Sequence, residues 1–320
     1  NGSAIFVWSD TRYGARNVFA HKVNSNVNFL WGVGGAAVTN LPGRQEDPVA
    51  ITDGSGGAYI AWVDYRFEEE GDIFIQHVDE NGNRLMVDEG ASLARVDGRH
   101  LTINMCTDSS GGVFVTWQDK RNLLDDDIYG THVTSDHQIV APGSGVAIIE
   151  MNGNQSAKSL EYAGNGQAIL VWSDTRSGAG NDIYAQKLNM DMSKVFADDG
   201  LPIAVTSELE TKPRTTYMSN DTSFVVWQSG TESSDIYFNF LTSNGLVFSD
   251  PQVKHAGMAQ SVKHKKLGNI NLVGQPVTLS RTPSRLNTAA PEKGEHADEI
   301  LKEYGYDPET IEKFKREGTV

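Results

Sequence analysis

Four copies of an Asp/Arg pair, each following a tryptophan at a fixed spacing, are the residues whose types first suggest chemistry. Two carboxylates in an acidic cleft can act as general acid and general base on a glycosidic bond. An active site is normally unique, however, whereas a contact between stacked repeats must recur in every repeat. We therefore interpret the pairs as structural ion pairs. The copies are Trp8-x-Asp10-x-Arg12, Trp62-x-Asp64-x-Arg66, Trp117-x-Asp119-x-Arg121 and Trp172-x-Asp174-x-Arg176.

Two acidic loops and one Asp/Asn-rich turn carry the oxygen ligands that Ca²⁺ prefers. The turn begins like an EF-hand loop, but Arg84 occupies the position that needs glycine, and Gly90 that of the bidentate glutamate. We expect a hairpin turn there and hydrated loops elsewhere, because loops of this composition usually stay solvated. The stretches are Glu68–Glu70, Asp125–Asp127 and Asp79-x-Asn81-x-Asn83.

The remaining reactive side chains form no recognisable catalytic or metal-binding pattern. No histidine pair has metal-ligand spacing, and Cys106 is the only cysteine, which excludes an intrachain disulfide. His77 and His132 hold equivalent repeat positions, where the fourth repeat has Lys187, and we predict that they lie on strand surfaces. We assign no catalytic, no cofactor-binding and no metal-binding residue.

The tryptophans mark an internal repeat of about 55 residues, and a second motif follows each of them. A typical repeat has alternating apolar residues in short runs, a Gly-rich turn and an Asn-Gly turn, and no convincing helical period. Four short strands per repeat predict a propeller blade, whose Trp is covered only by the neighbouring blade. We therefore expect Trp62, Trp117 and Trp172 to be buried between sheets. The second motif occurs as Asn17-Val18-Phe19, Asp72-Ile73-Phe74, Asp127-Ile128-Tyr129, Asp182-Ile183-Tyr184 and Asp235-Ile236-Tyr237.

The predicted fold is mainly β: an incomplete β-propeller of about four to five four-stranded blades, followed by a small C-terminal segment with two short helices. A change in composition places the boundary near residue 248. Residues 1–249 contain 16 Lys+Arg and 32 Asp+Glu, whereas residues 250–320 contain 11 and 10. The predicted repeat units lie near 1–44, 45–99, 100–154, 155–209 and 210–248, and the second domain covers 249–320.

The repeats resemble the Trp-x-Asp-x-Arg, Asp-Ile-Tyr propeller repeats of many large secreted or surface bacterial proteins. This resemblance implies architecture and says little about activity, because propellers host many functions. The acidic repeats should repel nucleic acid and anionic membranes, and no apolar run is long enough to span a bilayer. We expect no nucleic-acid or membrane partner, and a protein or carbohydrate ligand for the propeller.

In the C-terminal segment, a helix is predicted from near Glu295 to Glu303, with Gly305 as its terminator. Asp307-Pro308 predicts the start of a second helix. The segment resembles the C-terminal end of the class III CoA-transferases, the family of formyl-CoA:oxalate CoA-transferase and the acyl-CoA racemases. The matching stretches are Asp250–Val253, Gly274–Val277, Ser280–Pro283, Gly294–His296 and Gly305–Asp307, together with Leu301.

The transferase resemblance implies CoA as a cofactor, but the family's catalytic aspartate lies upstream of the matching segment. None of Asp250, Asp298 and Asp307 matches it, so no catalytic residue is carried over. We interpret the chain as a non-catalytic binding or scaffold propeller joined near Phe248-Ser249 to a CoA-transferase fragment, as a fusion or chimeric gene product. CoA transfer and glycoside hydrolysis by the propeller remain as alternatives.

The sequence leaves the localisation open, because the repeats resemble secreted or cell-surface proteins and the tail resembles a cytoplasmic enzyme. The chain begins at Asn1, inside a strand-like run and without a signal peptide. We therefore expect the N-terminus to be a truncation.

Overall fold

The computed structural model describes residues 2–178, 180–219, 221–230, 235–243, 245–246, 259–264, 268–273 and 297–316. The chain divides into two compact units, Asn1–Val247 and Phe248–Val320. In the described part of the first unit, five antiparallel sheets follow one another along the chain, and each is built from consecutive strands. We call these sheets blades 1 to 5.

Blade 1 has three strands and the other four blades have four each. In blade 1 the strands are β1 (Ala4–Tyr13), β2 (Ala15–Val23) and β3 (Ala36–Ala37). In blade 2 they are β4 (Gln45–Thr52), β5 (Ala58–Asp64), β6 (Asp72–Val78) and β7 (Ala91–Ala94). In blade 3 they are β8 (His100–Thr107), β9 (Val113–Asp119), β10 (Asp127–Val133) and β11 (Val146–Ile149). In blade 4 they are β12 (Gln155–Tyr162), β13 (Ala168–Asp174), β14 (Asp182–Leu188) and β15 (Leu201–Ala204). In blade 5 they are β16 (Glu210–Ser219), β17 (Thr222–Ser229), β18 (Asp235–Thr242) and β19 (Gly245–Leu246).

The first strand of each blade contacts the first strand of the next, so β1, β4, β8, β12 and β16 form a consecutive series. This arrangement of stacked four-stranded blades is that of a β-propeller. The predicted fold class, an incomplete β-propeller with about four to five blades, is confirmed.

The apolar core lies between blades, as the repeat pattern predicts. Trp62, Trp117 and Trp172 are each 0% exposed, which confirms the prediction that they are buried. Each Trp belongs to an apolar cluster that also contains residues of the preceding blade. A single blade could not bury both faces of its sheet, so the blades stabilise one another by stacking.

The second unit contains a hairpin of β20 (Ala259–His264) and β21 (Gly268–Val273), and helices α1 (Ala297–Glu303) and α2 (Pro308–Arg316). Both predicted helices are present. Gly305, at a φ of 88°, ends α1, and the backbone N of Tyr306 donates to the Leu301 carbonyl at 3.0 Å. Asp307 caps α2, since its Oδ1 accepts a hydrogen bond of 2.9 Å from the backbone N of Thr310.

Candidate functional site

The Trp-x-Asp-x-Arg motif forms a closed hydrogen-bond network near the end of one strand, which is the second strand in blades 2 to 4 and the first strand in blade 1. In blade 2, Asp64 Oδ2 accepts from Trp62 Nε1 at 2.9 Å, and Asp64 Oδ1 accepts from the backbone N of Arg66 at 3.0 Å. The Arg66 Nε donates to the same carboxylate at 2.8 Å, and its Nη2 donates to the Glu89 carbonyl at 3.0 Å. The arginine thereby ties its own strand to the loop that precedes the last strand.

The arginine also stacks on the aromatic residue of the second motif in its own blade. The guanidinium carbon lies 3.7 to 4.6 Å from the ring centre in the first four blades. Such cation–π contacts add to the hydrogen bonds, and the aromatic ring covers one face of the guanidinium group. The two sequence motifs are therefore parts of one structure. The stacked pairs are Arg12 on Phe19, Arg66 on Phe74, Arg121 on Tyr129 and Arg176 on Tyr184.

Hydrogen bonding holds two of the motif aspartates, Asp10 and Asp119, in their ionised form. The side-chain hydrogen bonds from Arg12 lower the pKa of Asp10 to about 2. Burial raises the pKa of Asp119, but hydrogen bonds from Arg121 and His100 outweigh burial and lower it overall. A carboxylate with so low a proton affinity is a poor general acid or base near neutral pH. The structural interpretation of the Asp/Arg pairs therefore fits their geometry and their electrostatics.

A second set of carboxylates, from the second motif, was not recognised as unusual from the sequence. Asp72 lies opposite Asp64, and Asp127 lies opposite Asp119, in register on neighbouring strands. Burial, followed by the charge of Glu68, raises the pKa of Asp72 to about 6. Burial and then Asp125 raise the pKa of Asp127 to about 7. Perturbed carboxyls of this kind often mark functional sites, but these side chains are 0% and 1% exposed and repeat from blade to blade.

His77 and His132 are not strand-surface residues, so that prediction was wrong. They are only 8% and 2% exposed. His77 Nε2 lies 3.1 Å from Asp53 Oδ2, and His132 Nε2 lies 2.9 Å from Asp108 Oδ2, each aspartate belonging to the Gly-rich turn of the same blade. The preceding blade covers one face of each of these sheets and the following blade covers the other, so an apparently outward position becomes an interior one.

The lysine at the same repeat position bonds across blades instead. Lys187 Nζ, which is fully buried, pairs with Asp221 of blade 5. Lys22, its counterpart in blade 1, donates to the Gly56 carbonyl of blade 2 at 2.8 Å. Each lysine reaches the turn of the next blade, whereas each histidine lies against the aspartate in the turn of its own blade, and His77 Nδ1 also lies 2.9 Å from His137 Nε2 of blade 3.

The Asp125–Asp127 loop and the Asp79 turn have structural partners rather than an open ligand shell. Asp125 accepts from Asn122 Nδ2 at 2.6 Å and from the backbone N of Gly153 at 2.7 Å. Asp79 Oδ1 accepts from the backbone N of Asn81 and of Asn83, both at 2.8 Å, which confirms the hairpin turn. Within the described residues, no three His, Cys, Asp or Glu side chains are grouped so that they could hold a metal ion.

Cys106 is buried, and burial raises the pKa of its thiol well above the ordinary value. The thiolate is the reactive form of cysteine, so this side chain is a poor nucleophile in the folded protein.

A cavity of about 590 Å³ lies between blades 1 and 2. Its lining is mostly polar, and the lining residues include Ser3, Thr52 and Ser55 together with the charged residues Lys22 and Glu80. Hydroxyl, ammonium and carboxylate groups around one cavity can exchange hydrogen bonds with a polyhydroxylated ligand. The sequence offered no sign of this cavity, because its walls come from two repeats.

In the second unit, the two described aspartates discussed above have structural partners. Asp298 pairs with Lys315 at 2.8 Å and links α1 to α2. Asp307 is the cap of α2. Asp250 and the motif stretches between residues 274 and 296 lie outside the described residues. Among the helices that the structure describes, none has the length and apolar character needed to cross a membrane.

Comparison with known proteins locates one family match, to CoA-transferase family III over residues 215–297. An acyl-CoA transferase of Fusarium pseudograminearum is 30% identical over 96 residues, which cover 29% of this chain and 21% of that protein. The chain thus spans about a fifth of the length of this curated relative. The family match begins inside β16, upstream of Asp250, the first residue of the matching stretches in the sequence.

Solved structures with a similar arrangement include an ulvan lyase of a new polysaccharide lyase family, with a TM-score of 0.49 at 10% identity over 77% of this chain and 68% of that one. An α-L-arabinanase of Penicillium chrysogenum has a TM-score of 0.41 at 9% identity over 77% of this chain and 92% of that one. Similarity at this level leaves the function of the blades to be argued from their own side chains. The C-terminal part of the chain resembles CoA-transferase family III, and the preceding blades form a β-propeller.

Proposed function

We propose that the chain is a binding or scaffold protein whose propeller holds a ligand without transforming it. The observation that carries this proposal is the closed Trp–Asp–Arg network. Asp64 uses both carboxylate oxygens within its own repeat, and Arg66 is covered by Phe74. A general acid or base must exchange a proton with substrate, and these groups are already committed to stabilising the blade.

The ligand class that the cavity between blades 1 and 2 favours is a carbohydrate. Its lining combines hydroxyl groups with one cation and one anion, Lys22 and Glu80. Sugars are recognised by such mixtures of donors and acceptors, and the strongly acidic repeats would disfavour polyanions. A protein ligand is the other possibility that the repeat architecture supports, because propellers often present their loops to partners.

CoA transfer is the second candidate function, and the match to CoA-transferase family III over residues 215–297 favours it. The reaction would need a carboxylate nucleophile beside the thioester and a pocket that excludes water. Asp298 and Asp307 are engaged with Lys315 and Thr310. We therefore propose that the C-terminal unit is a transferase fragment without a complete active site, and that the chain is a fusion.

Affinity gel electrophoresis of the full chain in a panel of soluble neutral polysaccharides tests the binding function. We expect at least one polysaccharide to retard the chain without any release of reducing ends. The Lys22→Ala variant should lose this retardation, whereas Lys158→Ala, which alters an exposed lysine of blade 4, should keep it. Release of sugar that is abolished by substituting one aspartate would overturn the non-catalytic proposal. If no polysaccharide retards the chain, a carbohydrate ligand for the propeller is ruled out.

CoA transfer is tested separately with formyl-CoA or succinyl-CoA and several carboxylate acceptors. We expect no turnover above a buffer control. Turnover that depends on a single aspartate of the chain would favour the second candidate and contradict the first.

A further inference from the structure

A pair of histidine rings joins blades 2 and 3 at a repeat position that holds other residue types in the neighbouring blades. His77 Nδ1, on β6, lies 2.9 Å from His137 Nε2, in the turn between β10 and β11. Contacts that only stack repeats recur from one repeat to the next, whereas this contact belongs to one junction of the described chain. It is therefore a candidate for a function that stacking alone does not require. The counterparts of His137, which share its positive φ but cannot ionise, are Val27, Gly82 and Met192.

Blade 2 holds the His77 ring in place and fixes which of its nitrogens carries a proton. The ring is 8% exposed and stacks on Tyr59, with 4.0 Å between the ring centres. Its Nε2 lies 3.1 Å from Asp53 Oδ2. Burial raises the pKa of Asp53, but hydrogen bonds from the backbone N of Ser55 and from His77 outweigh burial and lower it overall. An ionised carboxylate only accepts hydrogen bonds, so His77 Nε2 is the donor, and Nδ1 is left to meet His137.

The two facing nitrogens have room for one hydrogen between them, which limits the protons that the pair can carry. In the uncharged pair, His137 Nε2 donates to the lone pair of His77 Nδ1. With one added proton, His77 becomes a cation beside Asp53, and its Nδ1 donates to His137 Nε2 instead. A second added proton places a hydrogen on both nitrogens. The bond is then lost, and two cations repel each other in a partly buried site.

The charged groups around His137 do not compensate for that second proton. Burial, followed by the charge of His77, lowers the pKa of His137, and Asp136 in the same turn opposes both without reversing them. The Gly-rich turn of blade 3 contributes Asp108, which is already paired with His132 at 2.9 Å. A doubly charged pair is therefore unfavourable in the folded protein.

Tyr59 completes the contact between the two blades and stays neutral. Its hydroxyl donates to the Gly111 carbonyl, in the turn of Asp108, at 2.9 Å, so this side chain of blade 2 contacts both the His77 ring and blade 3. Burial, followed by the charge of Asp108, raises the pKa of Tyr59 to about 12. The hydrogen bond of Tyr59 is therefore insensitive to pH near neutrality, and the histidine pair supplies a contact that titrates there.

We propose that His77 and His137 form a pH-sensitive latch, which holds blade 2 against blade 3 near neutral pH and opens in mild acid. The latch is closed with no added proton or with one, and the second proton opens it. The unfolded chain takes up a proton on His137 near the ordinary pKa of 6.5, whereas the folded pair resists it. The stability that the latch supplies is therefore complete above pH 6.5, and it is lost as pH falls from there through the lower pKa of the folded pair.

Urea denaturation of the full chain at intervals from pH 5 to pH 8 tests the latch, with two glycine substitutions at one repeat position. His137→Gly removes half of the latch. Met192→Gly is the matched control, because Met192 is the buried counterpart in blade 4 and cannot ionise. Both residues have positive φ, and blade 2 already has Gly82 at this position, so the backbone accepts both changes. Tryptophan fluorescence follows the first unit, because all six tryptophans lie within it.

We expect the wild type to be more stable than His137→Gly at pH 8. The ratio of their folding equilibrium constants should then fall by up to about tenfold for each pH unit below 6.5, because the unfolded wild type binds one proton more. The corresponding ratio for Met192→Gly should stay the same at every pH. An advantage of the wild type over His137→Gly that is absent at pH 8, independent of pH or larger in acid would overturn the proposal.

Histidine ¹⁵N NMR separates a titrating latch from a contact that is merely structural. The signals that disappear in His137→Gly belong to His137, and their pH dependence reports when this ring gains its second proton. We expect that proton only below pH 6.5, and a neutral ring above it. A His137 ring that becomes charged at or above pH 6.5 would contradict the latch, even if the two glycine variants differ in stability.

Discussion

Replacement of Asp72 by asparagine should stabilise the protein at neutral and alkaline pH. Asp72 is 0% exposed, and both of its carboxylate oxygens lack a hydrogen-bond partner in the structure. Burial, followed by the nearby charge of Glu68, raises its pKa from 3.8 to about 6. An ionised carboxylate in this position is therefore unfavourable, and Asp72→Asn removes the charge while it keeps the shape of the side chain.

The size of the effect follows from the difference in proton affinity between the folded and unfolded states. A rise from 3.8 to about 6, at 1.36 kcal/mol per tenfold change in affinity, corresponds to up to about 3 kcal/mol. Below pH 3.8 the carboxyl is protonated in both states, and the penalty is absent. As pH rises, the unfolded state ionises first, so stability falls until the folded carboxyl also ionises near pH 6. Above that pH the penalty is constant.

Urea denaturation of the wild type and Asp72→Asn at intervals from pH 4 to pH 8 measures this difference. The variant should be more stable by up to about 3 kcal/mol at pH 8, with the gain shrinking toward zero at pH 4. The matched control is Asp88→Asn, whose side chain is 82% exposed and which should show little effect at any pH. A gain that is absent at pH 8, or that grows as pH falls, would refute the reasoning.

Three further predictions concern packing. Trp117→Ala should lower the free energy of unfolding by about 3–5 kcal/mol, and Trp8→Ala, at the same repeat position but only partly buried, by less; urea titration compares them. Gly145→Ala should lower the free energy of unfolding by about 1–3 kcal/mol more than Gly143→Ala, by the same measurement. Both residues have positive φ, but only the new Cβ at 145 would lie 2.4 Å from the Trp117 ring. Equal losses of stability in the two variants would contradict this packing. Cys106 should react with a thiol reagent only as fast as the protein unfolds, and rapid labelling of the native chain would show that the thiol is accessible.

Much of the fold was predictable from the sequence because its signals are local and repeat in register. Trp62 and Asp64 are separated by one residue, so the strand itself brings the indole N–H to the carboxylate. The same short spacing recurs in each blade, and this recurrence predicted both the stacking and the structural role of the Asp/Arg pairs. The helix cap at Asp307 was predictable for the same reason, since it depends on residues three positions apart.

Other features depend on neighbours far apart in the chain, and no sequence pattern identified them. Asp72 and Asp127 resemble ordinary polar residues of a motif until burial is known. The first strands of blades 2 and 3 also contain bulges at which Asp47 and Thr102 adopt positive φ, a conformation that is unusual for a β-branched residue such as threonine. No pattern in the sequence indicated the positions of these bulges.

The sequence by itself determined the period of the repeat, the four-stranded blade and the burial of its tryptophans, because alternation and motif spacing are properties of each short segment. Only the tertiary structure decided that His77 is interior and that Phe6 and Ile236 are exposed. Equivalent repeat positions carry similar residues in every blade, so the sequence alone does not distinguish a buried position from an exposed one. Burial differs among equivalent residues because it depends on whether another sheet lies against that face, and the local sequence does not specify its neighbour.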